Sequence, residues 1–241
     1  MLLRLRNSVD AMTRMVRQQE RIANNLANAN TVGFKRDRSF TEILNQELNA
    51  EGAPQSVKRT VQWADFTPGS LEQTGNPLDV ALHGEGFFVL TDATTETPRY
   101  TRAGRFVLDA EGTLRDVFGH QVEGEAGPIQ IPTDQGGAIV IERDGSIRVG
   151  SETVGRLRVV RFEDPAALRR LDGAAFDAAG QEPLDVEQPD VRQGFLEQSN
   201  VDAIAAMTEM IEHYRLFETQ QRSIRTDDEL LGRVTRELGR F

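Results

Sequence analysis

The 241-residue sequence predicts an α+β fold in which N- and C-terminal helices form a coiled-coil-like helical domain with an antiparallel β-rich domain inserted between them. Three observations predict it. A narrow apolar stripe runs through the N-terminal segment, and a heptad stripe runs through the C-terminal one. The middle consists of short alternating strands punctuated by Gly, Asp and Pro. The expected boundaries are 1–33 for the first helix, 34–74 for a connecting segment, 75–190 for the β-rich domain and 191–241 for the second helix.

Residues 2–29 read as a helix. Leu2, Leu5, Val9, Met12, Val16, Ala23 and Leu26 follow an alternating three–four spacing, with Gln19 as the one polar break. Arg4, Arg6, Arg14, Arg17 and Glu20 lie off that stripe. Asn28, Asn30 and Gly33 mark its end, because Asn and Gly suit helix C-terminal caps.

The next segment, 34–74, links helix to domain. Thr41 to Leu48 reads as a helical turn or two, Gly52-Ala53-Pro54 breaks it, and Trp63 and Phe66 anchor the rest. Phe87-Phe88-Val89-Leu90 is a compact apolar strand. Phe106 and Leu108 alternate, as do Ile139 and Ile141, then Ile147 and Val149 around the Asp144-Gly145 hairpin signal. Leu157, Val159 and Phe162 continue the pattern, and Asp164-Pro165 starts a short helix through Leu171.

Residues 199–238 read as a longer helix, with Ser199 or Asn200 as N-cap and Asp202 in the first turn. Met210, Phe217, Ile224, Leu231 and Leu238 recur every seven residues. Met207 and Tyr214 fill the companion heptad position, later taken by Gln221, Asp228 and Thr235. If continuous, this helix spans roughly 60 Å. The nearest partner for each seam is the other helix, but the second outruns the first and leaves seam for neighbouring molecules. The alternative is a self-contained helical hairpin.

Composition narrows the function. Cysteine is absent, so no disulfide, thiolate nucleophile or thiolate zinc site exists. No apolar run reaches the length of a membrane span, and none follows the basic N-terminus as a cleaved signal would require. Membrane insertion is therefore not expected. Residues 1–40 hold eight Lys/Arg against three Asp/Glu, net +5, whereas 41–198 hold fourteen against twenty-seven, net −13. The N-terminal arginines lie along an amphipathic helix without aromatic platforms, so attraction to acidic neighbouring surfaces explains them better than nucleic acid.

Catalytic patterns do not form. His83, His120 and His213 stand alone, without metal-ligand spacing, and are read as structural. Gly84-Glu85-Gly86 lacks the third glycine and the following helix of a dinucleotide loop. Lys35-Arg36-Asp37-Arg38 reads as a solvated basic face, with a phosphate site as the alternative. No enzyme, cofactor or small-molecule substrate is indicated.

Read whole, Ile22-Ala23-Asn24-Asn25-Leu26-Ala27-Asn28-Ala29-Asn30-Thr31-Val32-Gly33-Phe34-Lys35 closely resembles the signature of the bacterial flagellar rod and hook proteins. Gly75-Asn76-Pro77-Leu78-Asp79-Val80-Ala81 with Gly84-Glu85-Gly86-Phe87-Phe88 is similar to the start of their β domain. Tyr100-Thr101-Arg102-Ala103-Gly104-Arg105-Phe106 resembles the next family motif, and Gln193-Gly194-Phe195-Leu196-Glu197-Gln198-Ser199-Asn200-Val201 resembles the lead-in to the C-terminal helix. The run Val154 to Phe162 and the ending Leu231-Gly232-Arg233 to Leu238-Gly239-Arg240 look like the proximal-rod branch. The distal-rod branch usually has a longer connection after Lys35.

The resemblance implies a structural subunit exported by the flagellar type III apparatus into the periplasm-spanning rod. Its partners would be further copies of itself and other rod proteins, and its termini would become helical on assembly. The assembly interface it implies comprises Leu5, Val9, Met12, Val16, Asn24, Asn25, Leu26, Asn28, Asn30, Gly33, Phe34, Met207, Met210, Tyr214, Phe217, Ile224, Leu231 and Leu238. The four asparagines would cap the helix or bond between subunits. Rival readings are a distal-rod relative, a secreted self-associating scaffold, and an envelope enzyme using the acidic β domain.

Overall fold

A run of four apolar residues without alternation has two faces to bury, and Phe87–Leu90 buries both. In the computed structural model, which describes residues 2–48, 54–92, 95–132 and 137–238, this strand lies between two cores. Phe88 and Leu90 join Val80, Phe106, Leu114, Val122, Ile147 and Leu157 on one face. Phe87 and Val89 join Tyr100, Val160, Phe162 and Phe176 on the other.

The elements run α1 (Leu2–Ala27), β1 (Asp37–Leu48), β2 (Pro54–Ala64), β3 (Leu71–Gln73), β4 (Val80–His83), β5 (Phe87–Thr91), β6 (Pro98–Thr101), β7 (Phe106–Leu108), β8 (Leu114–Asp116), β9 (Gln121–Gly124) and β10 (Gly127–Pro128). They continue β11 (Ile139–Ile141), β12 (Ser146–Val149), β13 (Glu152–Arg156), β14 (Val159–Arg161), β15 (Arg169–Arg170), β16 (Ala175–Asp177), β17 (Leu184–Asp185), β18 (Asp190–Gln193), β19 (Phe195–Glu197) and α2 (Ala203–Leu238). The largest sheet has the order β15-β16-β6-β5-β9-β8-β7, with β10 on β9, β14 also on β5 and β17 on β14. β11, β12 and β13 form a meander, and β18 pairs with β4 and β19 with β3. All pairings are antiparallel.

The second core is aromatic. The Phe66 ring meets Phe87 at 5.1 Å and Phe176 at 5.0 Å, and Tyr100 meets Phe162 at 4.8 Å, all edge-on. Such pairs add about 0.5–1.5 kcal/mol each beyond area burial. Phe66 is thus the anchor expected of it.

Contacts divide the chain into a helical unit, residues 1–28 with 201–241, and a body, residues 29–200. The helical unit corrects the expected fold class. The chain is β-dominated with one helix near each end, and no coiled-coil domain is evident among the described residues. A coiled coil buries both heptad positions of each helix. Here α1 and α2 pack together, yet Val9 (56% exposed), Val16 (41%), Met207 (52%) and Tyr214 (52%) lie open. The covered residues are instead Ile22, Asn25 and Ala206, with Met15, Met210, Phe217 and Ile224 half-covered. At about 100° per residue, the open stripes lie roughly a quarter-turn or more around each helix from the covered face. Periodicity reports that a stripe exists, not that the other helix covers it.

Three local expectations also change. Thr41–Leu48 is not helical but belongs to β1, paired with β2 on both sides of a register shift between Leu44 and Glu47. Asp164-Pro165 opens only a 3₁₀ turn, Pro165–Ala167, because Leu168 is extended and leads into β15. The N-cap of α2 is Asp202, whose Oδ1 accepts the Ile204 and Ala205 amides at 2.9 and 3.0 Å.

Candidate assembly surface and the buried signature

On α2, Ile204, Met207, Ile211 and Tyr214 follow a three–four–three spacing and place four large apolar side chains on one strip. All four are more than half exposed, Ile204 at 78%. A row of large apolar side chains this exposed differs from the single scattered ones that need no explanation. Val9 and Val16 give α1 a shorter strip of the same kind. Within the helical unit, Arg21 reaches Glu209 at 3.5 Å and ties the two helices across their covered side.

The asparagines divide in two. Asn28 donates its backbone amide to the carbonyls of Asn24 and Asn25, and its side-chain amide to Asn24 O at 2.9 Å, so it caps α1. Asn25 is buried, whereas Asn24 and Asn30 are exposed. Leu26, Met12, Met210, Phe217 and Ile224 are half-buried. The backbones of Leu5, Leu231 and Leu238 are helical, and their side chains lie outside the described residues.

The signature after α1 turns inward. Gly33 has φ +68°, and a Cβ there would come within 2.3 Å of the Ala103 nitrogen, so only glycine fits this turn. Its amide donates to Glu197 O at 2.7 Å. The buried Phe34 ring carries the Arg170 guanidinium at 4.3 Å, and Arg170 also bonds Asp37 at 2.8 Å and the Lys35 carbonyl. Gly33 and Phe34 therefore make contacts inside the body rather than presenting a surface.

Lys35 is 0% exposed, which corrects the reading of Lys35–Arg38 as a wholly solvated face. Its ammonium lies 2.5 Å from Glu197 Oε1 and donates to Thr67 O at 2.9 Å. Glu197 Oε1 also accepts the Gly69 amide at 3.0 Å, and Arg102 stands 3.6 Å from Oε2. Burial pulls the Lys35 ammonium below its ordinary pKa, and Glu197 opposes that pull. Burial likewise lowers Arg102. Beside this pair, Asn200 accepts the Arg36 amide at 2.7 Å and donates to Asp65 O and Thr67 O at 2.8 and 3.0 Å.

The histidines brace turns or face the surface. His120 Nδ1 is 2.8 Å from Asp116 Oδ2, and Asp116 Oδ1 accepts the Phe118 and His120 amides. His83 sits 3.0 Å from Asp190 across the β4–β18 pair, and His213 is half-buried on α2. Among the described residues no group of three or more His, Cys, Asp or Glu could hold a metal ion, and no helix is long and apolar enough to cross a membrane.

Three family models match the chain. Residues 5–35 match flagella basal body rod protein, residues 81–149 the flagellar hook protein FlgE/F/G D1 domain, and residues 192–237 the flagellar basal body rod FlgEFG protein C-terminal region. The flagellar basal-body rod protein FlgF of Escherichia coli is 35% identical over 245 residues, covering 96% of both chains. The chain belongs to the flagellar basal-body rod protein family. The rod protein FlgG of Agrobacterium fabrum is also 35% identical, over 260 residues, covering 95% of this chain and 97% of its own. FlgG of Bacillus subtilis is 31% identical over 263 residues, covering 96% and 97%. This subunit is thus a structural component of the flagellar rod, placed in the basal body. The first and last matched segments contain Lys35 and Glu197, the two ends of the buried pair.

Sequence reasoning missed Lys35, Arg102, Arg170, Glu197 and Asn200 as an interacting group, because a buried ion pair leaves no local pattern. It also missed Ile204 and Ile211, although they lie seven residues apart, each three before Met207 or Tyr214.

Proposed function

We propose that this chain is a proximal-rod subunit that polymerises through the outward apolar strips of its two helices with further copies and with other rod proteins. It works without catalysis or cofactor and leaves the cell through the flagellar type III export apparatus. The observation that carries this is the open row Ile204, Met207, Ile211 and Tyr214 on α2. Val9 and Val16 add open apolar surface on α1, while Met12, Met210, Phe217 and Ile224 are half-covered. The absence of cysteine suits a subunit destined for an oxidising compartment.

Alignment length supports the proximal position. The FlgF match spans 245 residues, close to this chain's 241, whereas the FlgG matches spread over 260 and 263. FlgG relatives therefore require more inserted positions. The equal identity of the Escherichia coli FlgF and Agrobacterium fabrum FlgG matches keeps the distal rod as the second reading.

The test is deletion in the native host, scored by swimming and by electron microscopy of purified basal bodies. Complementation follows with wild type and with Ile211→Asp plus Tyr214→Asp. Wild type restores rods and the strip variant does not. Swimming of the deletion strain with intact rods overturns the reading, and labelling of the tagged subunit at the hook side of the rod moves it to the distal position.

A further inference from the structure

Residues 31–36 lead from α1 into the body, and residues 194–200 lead from the body to α2. These two segments hold each other. Gly33 donates to Glu197 O, Lys35 pairs with the Glu197 carboxylate, and Arg36 donates to Asn200. A third segment closes the arrangement, with Thr67 O accepting from Lys35, Gly69 donating to Glu197, and Gln198 donating to Ser70 O at 2.8 Å. Glycine is required here too, since a Cβ on Gly69 would come within 1.9 Å of Gln198 O.

Both charges of the central pair are only 1% exposed at their side chains. Lifting residues 194–200 would leave the Lys35 ammonium buried without its carboxylate, and lifting residues 31–36 would leave Glu197 with only the longer Arg102 contact and the Gly69 amide. The two segments therefore dock together or not at all. An apolar pair would also favour docking, but it tolerates sliding. An ammonium held between one carboxylate oxygen and one carbonyl accepts a single register.

Resting on the rod-subunit reading above, we infer that the Lys35–Glu197 pair is a registration lock inside each subunit. It joins the chain leaving α1 and the chain entering α2 at one point of the body. Rod building through the helices depends on this buried contact. Lys35 and Glu197 are positioning residues in this scheme.

The test uses the full-length chain as wild type, Lys35→Met, Glu197→Gln and the double variant, in two measurements. Hydrogen exchange reads the Gly33 and Gly69 amides against those of Phe88 and Leu90 in β5. Complementation of the deletion strain reads rods. Each single variant raises exchange at Gly33 and Gly69 at least tenfold with β5 unchanged, and rods are lost. The double variant removes both charges of the pair and leaves Arg102 to the Gly84 carbonyl at 2.7 Å, so it restores part of the protection and of the rods lost in the single variants. Asn200→Ala, which strands no charge, opens the same amides less and lowers rod number less. A uniform rise that includes β5 overturns the lock, because the pair would then only hold the core. So do normal rods from a variant with open Gly33 and Gly69. A deletion strain that still builds rods overturns the rod reading instead, while the exchange measurement still judges the lock.

Discussion

Glu197 Oε1 accepts the Lys35 ammonium at 2.5 Å from a residue 162 positions earlier in the chain. Nothing else in the body joins residues so far apart through charges so fully buried among the described ion pairs. Removing one member leaves the other costly. Lys35→Met should lower the unfolding free energy by about 3 kcal/mol, the low end for breaking a buried pair, because Arg102 remains near Glu197. Urea unfolding of wild type and variant measures it, and a loss below about 1 kcal/mol would show that the pair contributes little.

Two glycines with the same backbone preference should behave differently on substitution. Gly33 (φ +68°) abuts Ala103, whereas Gly75 (φ +72°) has open space around its missing Cβ. Gly75→Ala carries only the left-handed backbone penalty, about 1 kcal/mol. Gly33→Ala adds a steric clash against backbone and should cost more than about 3 kcal/mol. Paired thermal melts read the difference, and equal shifts would place the two turns in equivalent surroundings.

The aromatic core gives a third prediction. Phe176 is fully buried and meets Phe66 and Phe87, with Arg170 over its ring at 4.8 Å. Phe176→Ala should cost about 3–5 kcal/mol through lost burial and the cavity left behind. Phe176→Leu should recover at least half of that in chemical denaturation.

What was legible in the sequence was local. The Phe87–Leu90 run announced a compact apolar strand, though not that both its faces are covered, and Asp144-Gly145 announced the β11–β12 turn, where Gly145 has φ +87°. Thr41–Leu48 was not legible because its residue types suit helix and strand alike. The choice falls to its partner β2, whose pairing runs from Asp37–Ala64 to Leu48–Pro54. The heptad stripes were real, but which side of a helix is covered depends on tertiary packing, and Met207 and Tyr214 ended outside it. Lys35 looked like a surface residue because its neighbours Arg36 and Arg38 are charged, while its partner lies on β19. Asn200 looked like a helix cap and instead bridges Arg36, Asp65 and Thr67.

Acid should weaken the fold through Asp65. Burial alone would raise its pKa, but the Thr67 amide at 3.1 Å, the Thr67 hydroxyl and Arg38 at 2.7 Å outweigh it and hold the carboxyl below its ordinary value of 3.8. A carboxyl depressed in the folded state binds protons more weakly there than in the unfolded chain. Its contribution is therefore present above pH 3.8 and is lost as pH falls through the lower folded value. Asp109, held down chiefly by its Arg115 bond, and Asp144, held down chiefly by the Ser146 amide, act in the same direction. Asp65→Asn removes one such group. Wild type should be the more stable at pH 7, and the gap to the variant should narrow as pH falls below 3.8. Denaturant midpoints of both proteins across that range decide it, since a gap independent of pH would mean that the Asp65 contacts act without its charge.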